Sequence, residues 1–186
     1  MQAALILPEA AVVEAARLLG SPNPKNTLGN GIGTVVLSDA SDATSSGATG
    51  NSNFLLRQLL EQGYGGSVLF PIACPPSAAL AAEAGIGATI TVQLGGSLDP
   101  RYAPLSLEVE VLSLSTPAGK TATGSFGGQA AVLRHGEMVI SCFTKPPGFH
   151  VRACFDGMGL CVSLCTFMRL RSPSKQACLW YSTIVQ

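Results

Sequence analysis

A strand–loop–helix unit at residues 34–63 constrains the fold more than any other feature of the sequence. "TVVLS" (34–38) is a short apolar run, typical of a strand buried on both faces. A loop rich in Asp, Ser, Thr and Gly follows, and then a helix predicted at 53–62, with Asn51 or Ser52 as its N-cap. Four leucines at helical spacing predict its buried stripe: Leu55, Leu56, Leu59 and Leu60.

The hydrophobic period changes along the chain. A second apolar strand at 67–72 and a proline-initiated helix ending at Gly85 complete a βαβα order, which favours parallel strands. "ATITVQL" and "LSLEVEVLSL" then alternate apolar and polar residues, as strands with one wet face do, and "QAAVLRHGEMVISCF" reads as a hairpin. We therefore predict an α/β fold with a mixed sheet: a βαβα first half, then antiparallel strands and a hairpin, in a single domain with an irregular C-terminal tail.

Three segments follow from these patterns. Residues 1–33 are predicted to form an N-terminal helix and a linker, and residues 34–146 the domain proper. The helix begins near Pro8, and its predicted apolar face is Val12, Val13, Ala16 and Leu19. Residues 147–186 carry four of the six cysteines and show neither a helical nor a strand period, so we expect a Cys-rich, poorly ordered tail.

Composition excludes several classes of partner. Eleven basic and eleven acidic residues cancel, so charge gives no reason to expect nucleic acid or an anionic membrane. No run reaches the ~18 apolar residues of a membrane span, and the start lacks the basic region of a secretory signal. We expect a soluble cytoplasmic protein. Only 12% of residues are charged, which indicates either a covered surface or a polar coat made of Ser, Thr and Gly.

The loop between the first strand and its helix is the candidate binding element. It matches no phosphate-binding G-x-x-x-x-G-K-[ST] motif, since Gly47 and Gly50 are three apart and no Lys follows. A Gly-rich turn at a helix start can still offer backbone N–H groups to a small anion. Asp39 and Asp42 can equally hold the turn through their own hydrogen bonds, which is the preferred interpretation.

Catalytic and metal-binding patterns are weak in this sequence. The two histidines, His135 and His150, form no H-E-x-x-H motif, and a catalytic zinc needs three protein ligands. His135 lies in a predicted hairpin turn, where solvent exposure is the preferred interpretation. His150 could join the tail thiols Cys154, Cys161 and Cys165 in an adventitious zinc site, but free thiols are preferred because the spacings contain no C-x2-C pair. Glu108 and Glu110 share one strand face and are interpreted as solvated. We predict no catalytic residue and no metal ligand in this chain.

Residues of roughly 30–146 resemble a known family, the C-terminal domain of the MlrC-type (microcystin-degradation) zinc metallopeptidases. In those proteins a strand leads into D-x-x-D-N-P-G-G-G-x-P-G-D-[ST] and then a helix close to "FLLRQLLEQG". Similarity continues through "FPIACPPSAALAAEAGIGATITVQLGGSLDP". The matching loop positions are Asp39, Asp42, Gly47, Gly50 and Ser52; the positions that depart are Ala43, Thr44, Thr49 and Asn51.

The resemblance implies where the chemistry resides. In the family, zinc and the catalytic residues belong to an N-terminal domain, which we expect this chain to lack. An accessory domain without its own cofactor is therefore the leading hypothesis, with a zinc-bearing catalytic domain or a second copy as partner. The first alternative is half of a two-chain metallohydrolase, in which the 39–52 loop lines the substrate cleft. The second is a small-anion-binding module. Site residues for either are Asp39, Asp42, Gly47, Gly50, Asn51 and Ser52.

Overall fold

The computed structural model describes residues 6–20, 33–115, 120–121, 124–125, 128–146, 168–171 and 175–181. Its helices are α1 (Pro8–Gly20), α2 (Phe54–Glu61) and α3 (Pro75–Ala84), with 3-10 turns at Ala40–Asp42 and Thr44–Ser46. Its strands are β1 (Gly33–Asp39), β2 (Ser67–Ala73), β3 (Thr89–Leu94), β4 (Leu105–Ser115), β5 (Lys120–Thr121), β6 (Gly124–Ser125), β7 (Ala130–His135), β8 (Met138–Phe143), β9 (Met168–Arg171) and β10 (Lys175–Tyr181). None of the described helices is long and apolar enough to span a membrane.

Eight strands form one mixed sheet in the order β10-β1-β9-β2-β8-β7-β4-β3, and β5 pairs with β6 separately. β1 and β2 both run antiparallel to β9, so they point in the same direction, as the βαβα order predicts. β2 is parallel to β8, and β8, β7, β4 and β3 continue as antiparallel neighbours. The predicted α/β fold class with a mixed sheet is confirmed.

The C-terminal segment contributes two strands that the sequence pattern does not predict. β9 lies between β1 and β2, and β10 pairs with the other edge of β1. A strand inserted between two others is defined by the hydrogen-bonding edges beside it, and its own sequence need not show a clear period. Residues 147–167, 172–174 and 182–186 lie outside the described residues, so their expected disorder stays a prediction, as do the domain boundaries.

The buried face of α1 differs from the predicted one. Ala11, Val12 and Ala15 are buried, whereas Val13 is 60% exposed and Ala16 is also exposed. α1 packs on α2 and β1. Small Ala side chains let two helices approach closely, so the contact turns the alanine side of α1 inward, away from the bulkier stripe.

The other apolar patterns are confirmed. Leu55, Leu56 and Leu59 of α2 are buried and Leu60 is partly buried. In β3 and β4 the inward residues are Val92, Leu94, Leu107, Val109 and Val111. α3 contacts β3, β4, β7 and β8, so the antiparallel half of the sheet curves around this helix. The hairpin turns at Gly136–Glu137, where Gly136 has a φ of 54° that glycine adopts without strain.

Candidate functional site

The 39–53 loop leaves the carboxyl end of β1 and runs through two 3-10 turns before α2 begins. Asp39 starts the first turn: its Oδ1 accepts hydrogen bonds from the Ser41 amide N (2.9 Å) and the Ser41 hydroxyl (2.6 Å). This is the local carboxylate–backbone bond expected of Asp in a turn. Its second oxygen, Oδ2, is buried and has no hydrogen-bond partner among the described residues.

Asp42 closes the loop on itself. The residue is only 8% exposed. Its Oδ1 accepts from the Gly50 amide N (2.9 Å) and the Thr49 hydroxyl (3.3 Å), and its Oδ2 accepts from the Ser52 amide N (2.6 Å). Burial raises the pKa of this carboxyl and the nearby charge of Asp39 adds to the rise, while the Ser52 and Gly50 N–H groups oppose it. The loop amides that an anion would need therefore already donate to a carboxylate of the same chain.

The two loop glycines have backbone conformations that other residues rarely adopt. Gly47 (φ 85°) ends the second 3-10 turn, and its amide N donates to the Thr44 carbonyl (3.1 Å). Gly50 has a φ of 68° and is buried, and its carbonyl accepts from the Ala73 amide N at the end of β2 (2.7 Å). Gly50 is thus bonded on both its backbone groups.

Asn51 ties the loop to two other segments. Its side chain is fully buried. Its Nδ2 donates to the Ala73 carbonyl (2.5 Å) and lies 3.4 Å from the Ser97 hydroxyl, and its Oδ1 accepts from the Leu98 amide N (3.0 Å). A single side chain therefore fixes the loop, the end of β2 and the segment after β3 relative to one another.

Asn53, which the sequence pattern missed, makes a second crosslink of this kind. It occupies the N-cap position of α2, so the predicted caps Asn51 and Ser52 are wrong. Its side chain makes no capping bond and instead donates from Nδ2 to the carbonyls of Leu94 (2.7 Å) and Ala103 (2.8 Å). Asn at a helix start normally indicates capping, so only the tertiary contacts identify this role.

The Gly95–Gly96 pair makes room for these crosslinks. Gly95 has a φ of 83°, and a Cβ there would lie 2.4 Å from the Asn53 Nδ2. Gly96 has a φ of 74°, and a Cβ there would lie 2.6 Å from the Tyr102 carbonyl oxygen. The G-G after a strand is the sequence signal for this close approach.

An aromatic and charged group packs beside the loop, and the sequence did not point to it. Tyr102 is 1% exposed and meets the Phe54 ring edge to face at 5.3 Å. Arg101 lies over the Tyr102 ring at 5.7 Å and forms an ion pair with Asp99 (2.5 Å). Burial, with the charges of Asp42 and Asp39, raises the pKa of Tyr102 to about 12.

The histidines and glutamates that were considered and rejected as metal ligands or acid–base residues do not lie together in the described part of the chain. His135 is half-buried at the end of β7, where its Nδ1 lies 2.8 Å from the Glu108 carbonyl oxygen. Glu110 pairs with Arg134 across the strands, and Glu108 is exposed. His150, Cys154, Cys161 and Cys165 lie outside the described residues. Within the described part of the chain, no three His, Cys, Asp or Glu side chains converge as metal ligands. This donor set does not fit a zinc centre.

Comparison with known proteins identifies the family. A family model, the MlrC C-terminus, matches residues 37–172, from inside β1 to the end of β9. The chain belongs to this family. The match extends past residue 146, where the sequence resemblance ends, and it includes most of the sheet and the whole 39–53 loop.

A solved structure has the same fold. The crystal structure of a candidate metallopeptidase from Mesorhizobium sp. BNC1 superposes with a TM-score of 0.68 at 23% sequence identity. The superposition covers 97% of this chain and 33% of that one, so this chain spans about a third of the length of that solved structure. No curated protein matches the chain.

Proposed function

We propose that this chain is the accessory C-terminal domain of an MlrC-like zinc metallopeptidase, which supports the catalytic domain without carrying the chemistry itself. The proposal rests on one observation: three polar side chains of the loop already make their hydrogen bonds within the domain. Asp42, Asn51 and Asn53 are buried; Asp42 is bonded to backbone N–H groups of its own loop, and the two asparagines to backbone groups of neighbouring segments. Groups held in this way give a rigid surface, and the hydrogen bonds that a substrate would need are already made within the domain.

Zinc and substrate are assigned by this proposal to a separate domain. A zinc-activated water there would hydrolyse peptide or related amide bonds. The family membership and the longer metallopeptidase neighbour support such an arrangement, since this chain spans only a third of that neighbour. The donor set of the described residues does not fit zinc, so no catalytic step is assigned to them. A cytoplasmic location stays a prediction.

Exposed apolar side chains support a partner surface. Among the described residues, five large apolar side chains are exposed: Leu7, Val13, Leu80, Ile86 and Leu98. Of these five, Leu98 lies beside the loop, because its amide N donates to Asn51 Oδ1. A catalytic domain docked there would bury apolar area, which favours association. Self-association through the same residues is the alternative occupant.

The two-chain metallohydrolase remains the second candidate because two buried side-chain atoms of the loop, Asp39 Oδ2 and Ser52 Oγ, have no hydrogen-bond partner among the described residues. Asp39 Oδ2 has no partner among the described residues, whereas both oxygens of Asp42 are bonded. A substrate or a partner residue could complete the Asp39 carboxylate. The small-anion module has less support, because an anion would have to displace Asp42 from the Gly50 and Ser52 amides.

The test begins with the isolated chain, purified without chelator in zinc-containing buffer. We expect elemental analysis to find no stoichiometric zinc, and a fluorogenic peptide library to reveal no chelator-sensitive hydrolysis. Addition of a separately expressed zinc-bearing MlrC-type catalytic domain should then give a complex by light scattering and hydrolysis above that of either part. One zinc per chain with chelator-sensitive hydrolysis by the chain alone would overturn the accessory role.

A matched pair of variants distinguishes the two candidates. In the complex, Asp39→Asn should leave hydrolysis unchanged if the domain is accessory, and should lower it if the loop lines the cleft. Glu108→Gln serves as the control, since Glu108 is an exposed carboxylate on β4 and lies outside the loop.

A further inference from the structure

Cys74 and Cys142 lie together at the ends of β2 and β8, outside the groups used above. Ile72 pairs with Cys142 in the parallel ladder, and Cys74 follows two residues later, so the two side chains project to the same face. The Cys142 thiol donates to the Cys74 carbonyl oxygen at 3.3 Å. Both cysteines are fully buried and both are free thiols.

The Cys74 sulfur is surrounded by polar groups although it is buried. It lies 3.3 Å from the Ser77 hydroxyl, 3.2 Å from the Gln93 carbonyl oxygen and 3.6 Å from the Ser97 hydroxyl. A hydrogen bond from the Cys142 thiol lowers the pKa of Cys74, and the Ser77 and Ser97 hydroxyls lower it further against the effect of burial. The same contact and burial raise the pKa of Cys142. One sulfur is thus suited to act as nucleophile and the other stays protonated beside it.

The thiol pair is connected to the candidate loop through one hydroxyl. Ser97 contacts the Cys74 sulfur on one side and the Asn51 Nδ2 (3.4 Å) on the other. The next residue, Leu98, donates its amide N–H to Asn51 Oδ1. Any change of the Cys74 side chain therefore reaches the segment 95–99 directly.

We propose that Cys74 and Cys142 form a peroxide-sensitive thiol pair, and that their disulfide loosens segment 95–99 from Asn51. Hydrogen peroxide is the class of oxidant that fits, because only a very small molecule reaches sulfurs buried this deeply. The inference concerns regulation and stands whether or not the accessory role is correct.

The chemistry balances over two steps. The Cys74 thiolate attacks one oxygen of hydrogen peroxide, the O–O bond breaks, and hydroxide leaves, so Cys74 becomes a sulfenic acid. The Cys142 sulfur, losing its proton, then attacks the Cys74 sulfur and the S–O bond breaks. That proton and the departing hydroxide form water. The two sulfurs lose two electrons in total, and the peroxide is reduced.

Disulfide formation rearranges the local hydrogen bonds. The Cys142 S–H that donates to the Cys74 carbonyl is lost, and the Cys74 sulfur, now bonded to the Cys142 sulfur, is no longer placed by its 3.6 Å contact with the Ser97 hydroxyl. The Ser97 hydroxyl then has one fewer contact holding it beside Asn51. The Leu98 amide, which Asn51 protects, is the natural reporter of this change.

The experiment treats the reduced full chain with graded hydrogen peroxide and maps its disulfides by tryptic mass spectrometry. Cys74 falls in peptide 58–101 and Cys142 in peptide 135–152, each with a single cysteine, so a link between these two peptides identifies the pair among all six cysteines. Hydrogen exchange then follows the Leu98 amide. We expect the 58–101/135–152 link to form, and the Leu98 amide to exchange about tenfold faster, as the loss of one typical hydrogen bond predicts. Both changes should reverse with dithiothreitol.

Single substitutions supply the matched controls. Cys142→Ser should leave Cys74 as an unlinked sulfenic acid and abolish the peroxide-dependent change at Leu98, and Cys74→Ser should leave Cys142 reduced. The proposal is overturned if native wild-type chain keeps both thiols reduced, or if Cys74 links instead to a tail cysteine. A 58–101/135–152 link with unchanged Leu98 exchange overturns the coupling to the loop. The wild-type result alone decides the matter if a substituted chain fails to fold.

Discussion

The 39–53 loop and the antiparallel half of the sheet both contain fully buried side chains, which are stabilised by different forces. Asn51 and Asn53 are as fully excluded from solvent as Leu133 and Ile140. The asparagines are held by hydrogen bonds to specific backbone groups, whereas the leucine and isoleucine are held by close packing. Packing tolerates exchange among apolar residues of similar size, but a buried polar group needs its particular partner. We therefore expect substitutions in the loop to destabilise the protein according to the polar groups they remove and in a pH-dependent way. Substitutions in the sheet should destabilise it according to the side-chain volume they remove.

The largest effect is expected in the sheet. Ile140→Ala removes a fully buried side chain from β8 and should lower the free energy of unfolding by about 2–5 kcal/mol, because a cavity remains. Urea denaturation measures it. Ile86→Ala is the matched control, since Ile86 is 67% exposed and should cost far less. Equal losses at the two positions would contradict the assigned core.

The next effect is steric and belongs to the loop. Gly95→Ala should cost roughly 2–4 kcal/mol, from the left-handed φ of Gly95 and the contact with Asn53. Gly87→Ala is a close control, because Gly87 has a φ of 85° but open space around its Cβ, so only about 1–2 kcal/mol of strain is expected. Thermal unfolding of both variants separates the cost of the steric contact with Asn53 from the cost of the left-handed backbone conformation. If Gly95→Ala is no worse than Gly87→Ala, the Asn53 crosslink is not where we place it.

Asp42→Asn tests how much the hydrogen bonds of the loop contribute to stability. An amide has one acceptor oxygen, so either the Gly50 or the Ser52 N–H is left buried without an acceptor, at a cost of roughly 1–3 kcal/mol. Asp39→Asn should cost less, because one Asp39 oxygen already has no partner among the described residues. Denaturant unfolding at neutral pH compares the stabilities of the two variants. A larger loss for Asp39→Asn would refute the stabilising role of the Asp42 hydrogen bonds to Gly50 and Ser52.

The same variant gives a pH signature with a definite sign. Burial raises the folded pKa of Asp42 above its unfolded value of about 3.9. Between those two pKa values the folded state binds more protons than the unfolded state, so the Asp42 contribution to stability declines as pH rises through that window. The difference in stability between wild type and Asp42→Asn should therefore shrink from pH 4 upward. A difference that grows with pH would mean that the amide bonds outweigh desolvation.

The smallest effect tests which face of α1 is buried. Val13→Ala should change the free energy of unfolding by less than about 0.5 kcal/mol, because Val13 is largely exposed. Val12→Ala, at a position only 2% exposed, should cost clearly more. If Val13→Ala instead lowers the free energy of unfolding more than Val12→Ala does, Val13 belongs to the buried face, as the sequence pattern predicts.

Much of the fold followed from local patterns, while most of the loop's contacts did not. Leu55, Leu56 and Leu59, and the alternating Val109 and Val111, lie where their periods place them. The loop residues Asp42 and Gly50 were found from their residue types and the family pattern. Asn53 was missed because its partners, Leu94 and Ala103, are about 40 to 50 residues away in the sequence. Cys74 and Cys142 were counted as cysteines but not as neighbours, since 68 residues separate them.

The sequence by itself determined the helices, the strands β1 to β4, β7 and β8, and the position of the Asp- and Gly-rich loop, because residue period and turn chemistry act over a few residues. The tertiary structure alone decided that β9 lies between β1 and β2, and that the alanine side of α1 faces inward. It also decided that Asn51 and Asn53 crosslink segments instead of capping a helix. The physical reason is that a strand edge, a helix contact and a buried amide are each completed by groups distant in the sequence, which no local pattern encodes.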